Sequence, residues 1–311
     1  MTVNSKAIGA DWFLNGLASL QSRELQTQQQ LSSGYAVSSA ADDPVATREL
    51  VDLGSSLAAA QSYQSNLSTV QTQASAADTA IGSAITLVQS AESLASQGAS
   101  TNVSATEQQN LANQVQSIQQ QIVSLANTAV AGVYIFGGDE SQSPPYQYDA
   151  SAVEGVDDLT NAQSTLTIVN PAGETVYQPL TAGEIFDPQT GGVPSPQAPA
   201  PGNTFAALQS LVEALQTNTT AGVATALTSL QTSSTWLNER QAYYGTSEQR
   251  LSAEQNKVSS QITALQTAIG GLRDANVAQD ATDLTQESTA QSAAMAAQAE
   301  IPQKSLFDYL A

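Results

Sequence analysis

The sequence predicts a mainly α-helical protein with a small β-rich insertion, in which an N-terminal and a C-terminal arm fold together as a long antiparallel helical bundle or coiled coil. Three observations carry that expectation. Nine of the eleven prolines fall between Gly137 and Asn203, a window without Lys or Arg, so two proline-poor arms flank one proline-rich, acidic middle. From Leu50 to Ala95 apolar residues recur at steps of three or four, as one face of a helix requires. Leu230, Leu237, Tyr244, Leu251, Val258, Leu265 and Leu272 are spaced by seven, which keeps one seam turned toward a partner helix.

Taken in order, Leu14, Leu17 and Leu20 near the start form an apolar helical face in polar, Gln- and Ser-rich sequence, and Leu284, Leu306, Phe307 and Leu310 do the same near the finish. With little core to dock on, such termini order against other copies of the chain, so these seven are the expected subunit-interface residues. The stretch SSAADDPVATREL, positions 38 to 50, then starts the main helix. Asp43 is placed to accept bonds from the first free amides as N-cap, and Pro44 suits the first helical position, where no amide proton is needed. Asp42-Asp43 thus reads as a helix start rather than a catalytic or metal-binding pair of carboxylates. The helix runs to Gly98, a rod of roughly 80 Å at 1.5 Å per residue. A second run, Leu111, Val115, Ile118, Ile122, Leu125 and Ala129, repeats the period. In the middle, STLTIV and ETVYQPL flank NPAG, with Pro171 and Gly173 at positions i+1 and i+3 of a type I turn, and Tyr146 and Tyr148 alternate as on one face of a strand. A loose stretch, GGVPSPQAPAPGN, follows. The division predicted is residues 1–42 with 274–311 as terminal helices, 43–136 with 204–273 as the helical bundle, and 137–203 as an outer β-rich module.

Composition narrows the function. Aromatics are only 5% of the 311 residues and the apolar 41% leans on alanine, which suits thin bundles better than a thick core. Cysteine and histidine are both absent. That removes disulfides, thiolate and imidazole metal sites, Cys or His nucleophile systems and the usual proton shuttle, so no catalytic residue, cofactor or metal is expected. A net charge of −20 opposes binding to phosphate backbones or anionic lipid, and no apolar run approaches the roughly 18 residues of a membrane helix, so neither nucleic acid nor membrane is an expected partner. The start, MTVNSKAIGADWFLNGL, lacks the pattern of a secretory signal, so the expectation is a protein that stays inside the cell or leaves by a route that keeps its N-terminus. Asp139, Glu140, Asp149, Asp157 and Asp158 are the alternative: a carboxylate cluster for acid-base chemistry or calcium. Their spacing matches no loop motif, and a solvated acidic module is the ordinary explanation. IFGGDE lacks the lysine and glycine spacing of a phosphate loop and reads as a turn. Trp12 and Trp236 read as helix-face residues.

LSSG at 31 to 34 followed by SAADDPVA at 39 to 46 resembles the N-terminal signature of the bacterial flagellin family. DDPVA, with proline where filament flagellins usually carry alanine, resembles the hook-filament junction branch, and LANTAVAGVYIFGG at 125 to 138 is similar to the segment by which junction proteins leave their helical domain. DANVAQDATDLTQESTAQSAAMAAQA from Asp274 and KSLFDYL from Lys304 resemble the C-terminal helix and its closing motif. The resemblance covers both arms; the middle carries none. It implies a structural subunit of the flagellum: terminal helices paired in an inner tube, a helical second domain and an exposed β-rich domain. It further implies export through the flagellar type III apparatus without cleavage, with or without a chaperone, and an extracellular place at the hook-filament junction. Copies of the same chain, the neighbouring hook-associated protein and flagellin would be the partners. Leu14, Leu17, Leu306, Phe307 and Leu310 would be inter-subunit contacts, and Asp43 with Pro44 would open the main helix of the second domain. A filament-forming flagellin is the alternative within the family.

Overall fold

Two helices dominate the chain: α2, Pro44–Gly98, and α6, Thr220–Arg273. In the computed structural model, which describes residues 4–100, 102–190 and 198–300, the chain divides into two compact units. Unit 1 takes the residues up to Ser62 and from Ser260 onward, and unit 2 is Tyr63–Ser259, so α2 and α6 each contribute to both.

Within unit 2 the buried side of α2 is Leu67, Val70, Ala74, Ala77, Ile81, Ala84, Val88, Ala91 and Ala95, an unbroken alternation of three- and four-residue steps. Such a period averages 3.5 and holds one narrow seam against a neighbouring helix. On α6 the row spaced by seven is buried at Leu230, Leu237, Tyr244, Leu251 and Val258. The seam is close: a Cβ added at Gly82 would stand 3.1 Å from Gln241 Nε2. After α2 the chain turns into α3, Ala105–Ala126, whose N-cap Ser104 accepts from the Glu107 amide at 3.2 Å. Leu111, Val115, Ile118 and Ile122 of α3 are buried, and α5, Thr204–Gln216, packs along α3. Gly98 sits where these helices converge: a Cβ there would meet Leu215 Cδ2 at 2.4 Å and Leu111 Cδ1 at 3.6 Å, so a larger residue would displace the Leu215 side chain.

Between α3 and α5 lie four antiparallel two-stranded ribbons: β1 (Ala129–Val130) with β2 (Val133–Tyr134), β3 (Tyr146–Tyr148) with β4 (Val156–Asp158), β5 (Ile168–Val169) with β6 (Thr175–Tyr177), and β7 (Gln189–Thr190) with β8 (Ala198–Pro199). The NPAG turn forms, with the Gly173 amide on Asn170 O at 2.9 Å and Gly173 at φ +83. Its strands are shorter than the sequence suggests because side chains take over from the ladder: Ser164 Oγ donates to Pro179 O and Gln178 Nε2 to Ser164 O. Of GGVPSPQAPAPGN, residues 191–197 lie outside the described residues. A short helix, α4 (Ala182–Phe186), is opened by a capping box of Thr181 and Glu184.

The module joins the helices through a ring cluster and polar ties, three of them to α6. Phe136 meets Phe186 edge-on at 5.7 Å, and Phe205 of α5 lies 5.0 Å from Tyr146 and 6.3 Å from Phe186. Trp236 Nε1 donates to Ile185 O at 3.0 Å, Tyr243 Oη to Gln178 O at 2.6 Å, and the Leu180 amide donates to Tyr244 Oη at 3.2 Å. No helix among the described residues is long and apolar enough to cross a membrane.

Leu237 is fully buried, whereas Leu265, on the same row of seven, is only half-buried. Leu237→Ala therefore lowers the unfolding free energy by about 2–5 kcal/mol and Leu265→Ala by clearly less, as read from chemical denaturation followed by circular dichroism. Equal losses would mean that the seam in unit 2 is not the core.

Candidate functional site

The N-terminal and C-terminal helices meet in unit 1. Helix α1, Asn4–Ser33, closes at Gly34, which takes φ +75 and bonds its amide to Gln30 O at 2.8 Å. Tyr35 then pairs with Asp274 as an antiparallel bridge, flanked by Ala36 N to Arg273 O at 2.7 Å and Ala275 N to Gly34 O at 2.9 Å. The Arg273 guanidinium sits 4.4 Å over the Tyr35 ring and donates through Nε to Asp274 at 3.0 Å. This joint sets the start of α7, Val277–Glu300, beside the end of α1, and the two helices run antiparallel, with Thr27 Oγ1 donating to Glu287 Oε2 at 3.2 Å.

The α1–α7 seam is thin and mixed. The least exposed row of α1 is Phe13, Leu17, Leu20, Glu24, Thr27 and Leu31, and that of α7 is Asp280, Leu284, Glu287, Gln291 and Ala294. Among all these only Thr27 is buried; the rest are half-buried. Leu17, Leu20 and Leu284 thus share one seam. Leu14, 59% exposed, stands about 100° around α1 on a neighbouring row that also carries Leu25, 61% exposed. Trp12, Val45, Val51, Val277 and Met295 are exposed as well, and the only buried apolar side chains described in unit 1 are Ala60 and Ile262. Leu306, Phe307 and Leu310 lie outside the described residues. Sequence reasoning passed over Leu25, Thr27 and the Tyr35–Arg273 stack.

The two aspartates that precede α2 have different tasks. Asp43 Oδ1 accepts from the amides of Val45 at 2.9 Å and Ala46 at 3.0 Å, and Pro44 is the first helical residue. Asp42 faces backward: its Oδ2 accepts from the Ser38 hydroxyl at 2.9 Å and the amides of Ser38 and Ser39 at 3.0 and 2.8 Å. Those bonds, the Ser38 hydroxyl first, hold its carboxyl below the usual aspartate range. The turn that connects α1 to α2 is thereby closed on itself.

Of the five acids singled out from the sequence, Glu140 lies near enough to Asp158 for its charge to act on it, but the five do not gather at one point. Asp139 takes the Gln163 amide, Asp149 the Ser151 hydroxyl and amide, Asp158 the Thr160 amide, and Asp157 is exposed on β4. Among the described residues no group of three or more His, Cys, Asp or Glu is placed to hold a metal ion. Two acids the sequence did not flag, Glu154 and Asp187, come together instead, bridged by the side-chain amides of Gln189 and Asn203. Asp187 borders a cleft of about 480 Å³ that also takes in Asp158, Glu184, Trp236 and Arg240, whose guanidinium lies 3.8 Å over the Trp236 ring.

The helical tracts that build unit 1 and the seam are the ones with recognisable relatives. Residues 8–141 match the family model of the bacterial flagellin N-terminal helical region, and residues 227–310 that of the bacterial flagellin C-terminal helical region. The chain belongs to the bacterial flagellin family. Among flagellin relatives it is 22% identical over 211 residues to flagellar hook-associated protein 3 of Escherichia coli (strain K12), a match spanning 66% of this chain and 63% of that protein. The fold is that of a flagellar hook-associated protein from Vibrio parahaemolyticus, with TM-score 0.63 and 19% identity, covering 75% of this chain and 100% of that one. It is likewise that of FlgL from Bacillus cereus, with TM-score 0.55 and 18% identity over 70% of this chain and 99% of that one. The N-terminal model takes in most of α1 and the C-terminal model takes in α7, whereas most of the β-rich module lies outside both.

Arg273→Ala removes a stack worth about 0.5–1 kcal/mol at an exposed site. Hydrogen exchange of α1 and α7 amides in the isolated protein therefore speeds up about two- to fivefold, while amides of α2 between Leu67 and Ala95 are unchanged. Uniform acceleration across both units would disprove a joint local to unit 1.

Proposed function

We propose that this flagellin-family chain is a structural subunit of the flagellar hook-filament junction, an adaptor that assembles through its terminal helices. What carries the reading is the contrast between the units: unit 2 buries a continuous apolar seam, whereas α1, α7 and the head of α2 leave Trp12, Leu14, Leu25, Val45, Val51 and Met295 exposed. Helices with a half-polar seam toward each other and uncovered apolar rows elsewhere gain stability by packing on further helices. Likeness to hook-associated protein 3 and to hook-associated folds favours the junction over the filament.

In this proposal residues 1–42 and 274–311 form the assembling part, with Leu14, Leu17, Leu20, Leu284, Leu306, Phe307 and Leu310 at subunit interfaces. Residues 43–136 and 204–273 form a supporting bundle opened by Asp43 and Pro44, and residues 137–203 an outer module. The partners are further copies of this chain, with a neighbouring hook-associated protein on one side and flagellin on the other. Delivery runs through the flagellar type III apparatus to the cell exterior. The chain acts as a scaffold and not as an enzyme, and its lack of histidine and cysteine is in keeping with that.

Immunogold labelling of intact flagella with antibody to the outer module gives a single band where hook meets filament; label along the whole filament would make the protein a filament subunit. Replacing Leu306 and Leu310 together by Asp leaves a soluble, helical, exported protein that no longer assembles. Normal filament attachment by that variant would sink the interface assignment.

A further inference from the structure

Three parts of the outer module come together at two carboxyl groups, Asp187 buried and Glu154 half-buried. Asp187 directly follows α4, and Glu154 lies in the turn between β3 and β4. Asn203, the N-cap of α5, donates through Nδ2 to Asp187 Oδ1 at 2.5 Å and to Glu154 Oε2 at 3.2 Å, while its own Oδ1 accepts from the Ala206 amide at 2.8 Å. Gln189 of β7 repeats the bridge, Nε2 donating to Asp187 Oδ1 and, at 3.2 Å, to Glu154 Oε1. Tyr146 of β3 donates its hydroxyl to Asp187 Oδ2 at 3.1 Å. The Glu154 carbonyl is fixed as well, accepting from Gln119 Nε2 of α3 at 2.8 Å.

Among the described residues no cation forms an ion pair with either acid. Arg240 of α6 reaches the same cleft but stacks on Trp236 and forms no ion pair with either acid. The other titratable groups nearby add negative charge or none: Asp158 on β4, Glu140 acting on Asp158, Glu184 on α4, and the Tyr146 phenol. A carboxylate at the buried Asp187, beside the Glu154 charge and without a counter-charge, is disfavoured.

We propose that Glu154 and Asp187 form a proton-held latch, in which one proton retained between the two carboxyls clamps the β3–β4 turn onto the junction of α4, β7 and α5, and its loss in alkaline medium frees that turn. Burial, and next the charge of Glu154, push the Asp187 carboxyl up to about 8. Asp158 is raised as well, by burial first, and the Tyr146 phenol is pushed upward by burial so that it stays protonated. The sign follows from linkage. An acid raised in the folded state binds its proton more tightly there than in the unfolded chain, where the ordinary value is 3.8. The proton's contribution is complete below that value and is lost as pH rises through about 8.

The chain carries its own reporter. Trp236 donates to Ile185 O, two residues before Asp187, and its ring packs on Gly202, where a Cβ would lie 3.0 Å from Trp236 Cγ, one residue before Asn203. Trp12→Phe leaves Trp236 as the sole tryptophan of the full chain. Between about pH 6 and about pH 9 its emission shifts to the red and acrylamide quenching rises about twofold, reversibly, with a midpoint near 8. Asp187→Asn keeps the Oδ1 acceptor and offers an amide proton toward Glu154, and Glu154→Gln removes the second charge. At least one of these variants retains the low-pH emission throughout and loses the transition. A transition that survives in both, its absence from the Trp12→Phe chain, high-pH emission at every pH in both variants, or a midpoint that moves with added calcium chloride would each overturn the latch.

Discussion

The buried rows of α2 (residues 67–95) and α6 (residues 223–258) are built mostly of alanine and aliphatic side chains, with Tyr244 the one aromatic. Each alanine buries little area, and at about 25 cal/mol per Å² a short seam of this kind would not offset the entropy of ordering it. Length supplies what side-chain size does not. Only with α2 and α6 held along many turns do α3, α5 and the outer module have a fixed surface to pack on.

Unit 1 shows what the same pattern does when that condition lapses. The row of seven runs on in sequence to Leu265 and Leu272, and the α2 row begins at Leu50, Leu53 and Leu57, yet all five are half-buried. The α1–α7 seam intersperses Glu24, Asp280 and Glu287 with leucines, and one carboxylate oxygen of Asp280 is buried without a hydrogen-bond partner. Such a surface is unfinished as a core but suited to packing on further helices. In the proposed assembly a net charge of −20 opposes association of copies, and the attraction is assigned to the apolar rows on α1 and the head of α2.

What was legible in the sequence was whatever repeats or punctuates. The three-and-four rhythm of α2, the row of seven on α6 and the proline that opens α2 are local patterns, and the helices follow them closely. The companion row of α6, Ala226, Ser233, Arg240, Ser247 and Glu254, is mostly polar, so no apolar period could reveal it even though Ser233, Ser247 and Glu254 are buried. Thr181 to Glu184 is a capping box readable from its spacing, but the helix it opens is only five residues long and has no period to read. Glu154 and Asp187 were hidden for another reason. They are far apart in sequence, and their bridging amides come from two further positions, so only the folded chain makes them a pair.

A seven-residue repeat is degenerate: sliding α6 along α2 by one heptad replaces leucine with leucine at little loss of packing. The residues that break the degeneracy are the unrepeated ones. Tyr244 is the single aromatic in its row, and its hydroxyl accepts from the Leu180 amide; a slip of seven would put Leu237 or Leu251 there and orphan that amide. Trp236 on Ile185 O and Tyr243 on Gln178 O carry the same penalty. Buried polar groups left unpaired cost about 1–3 kcal/mol each, more than an alanine seam loses by slipping. The outer module therefore does more than decorate the bundle. Its backbone carbonyls and amides fix where α6 stands within unit 2.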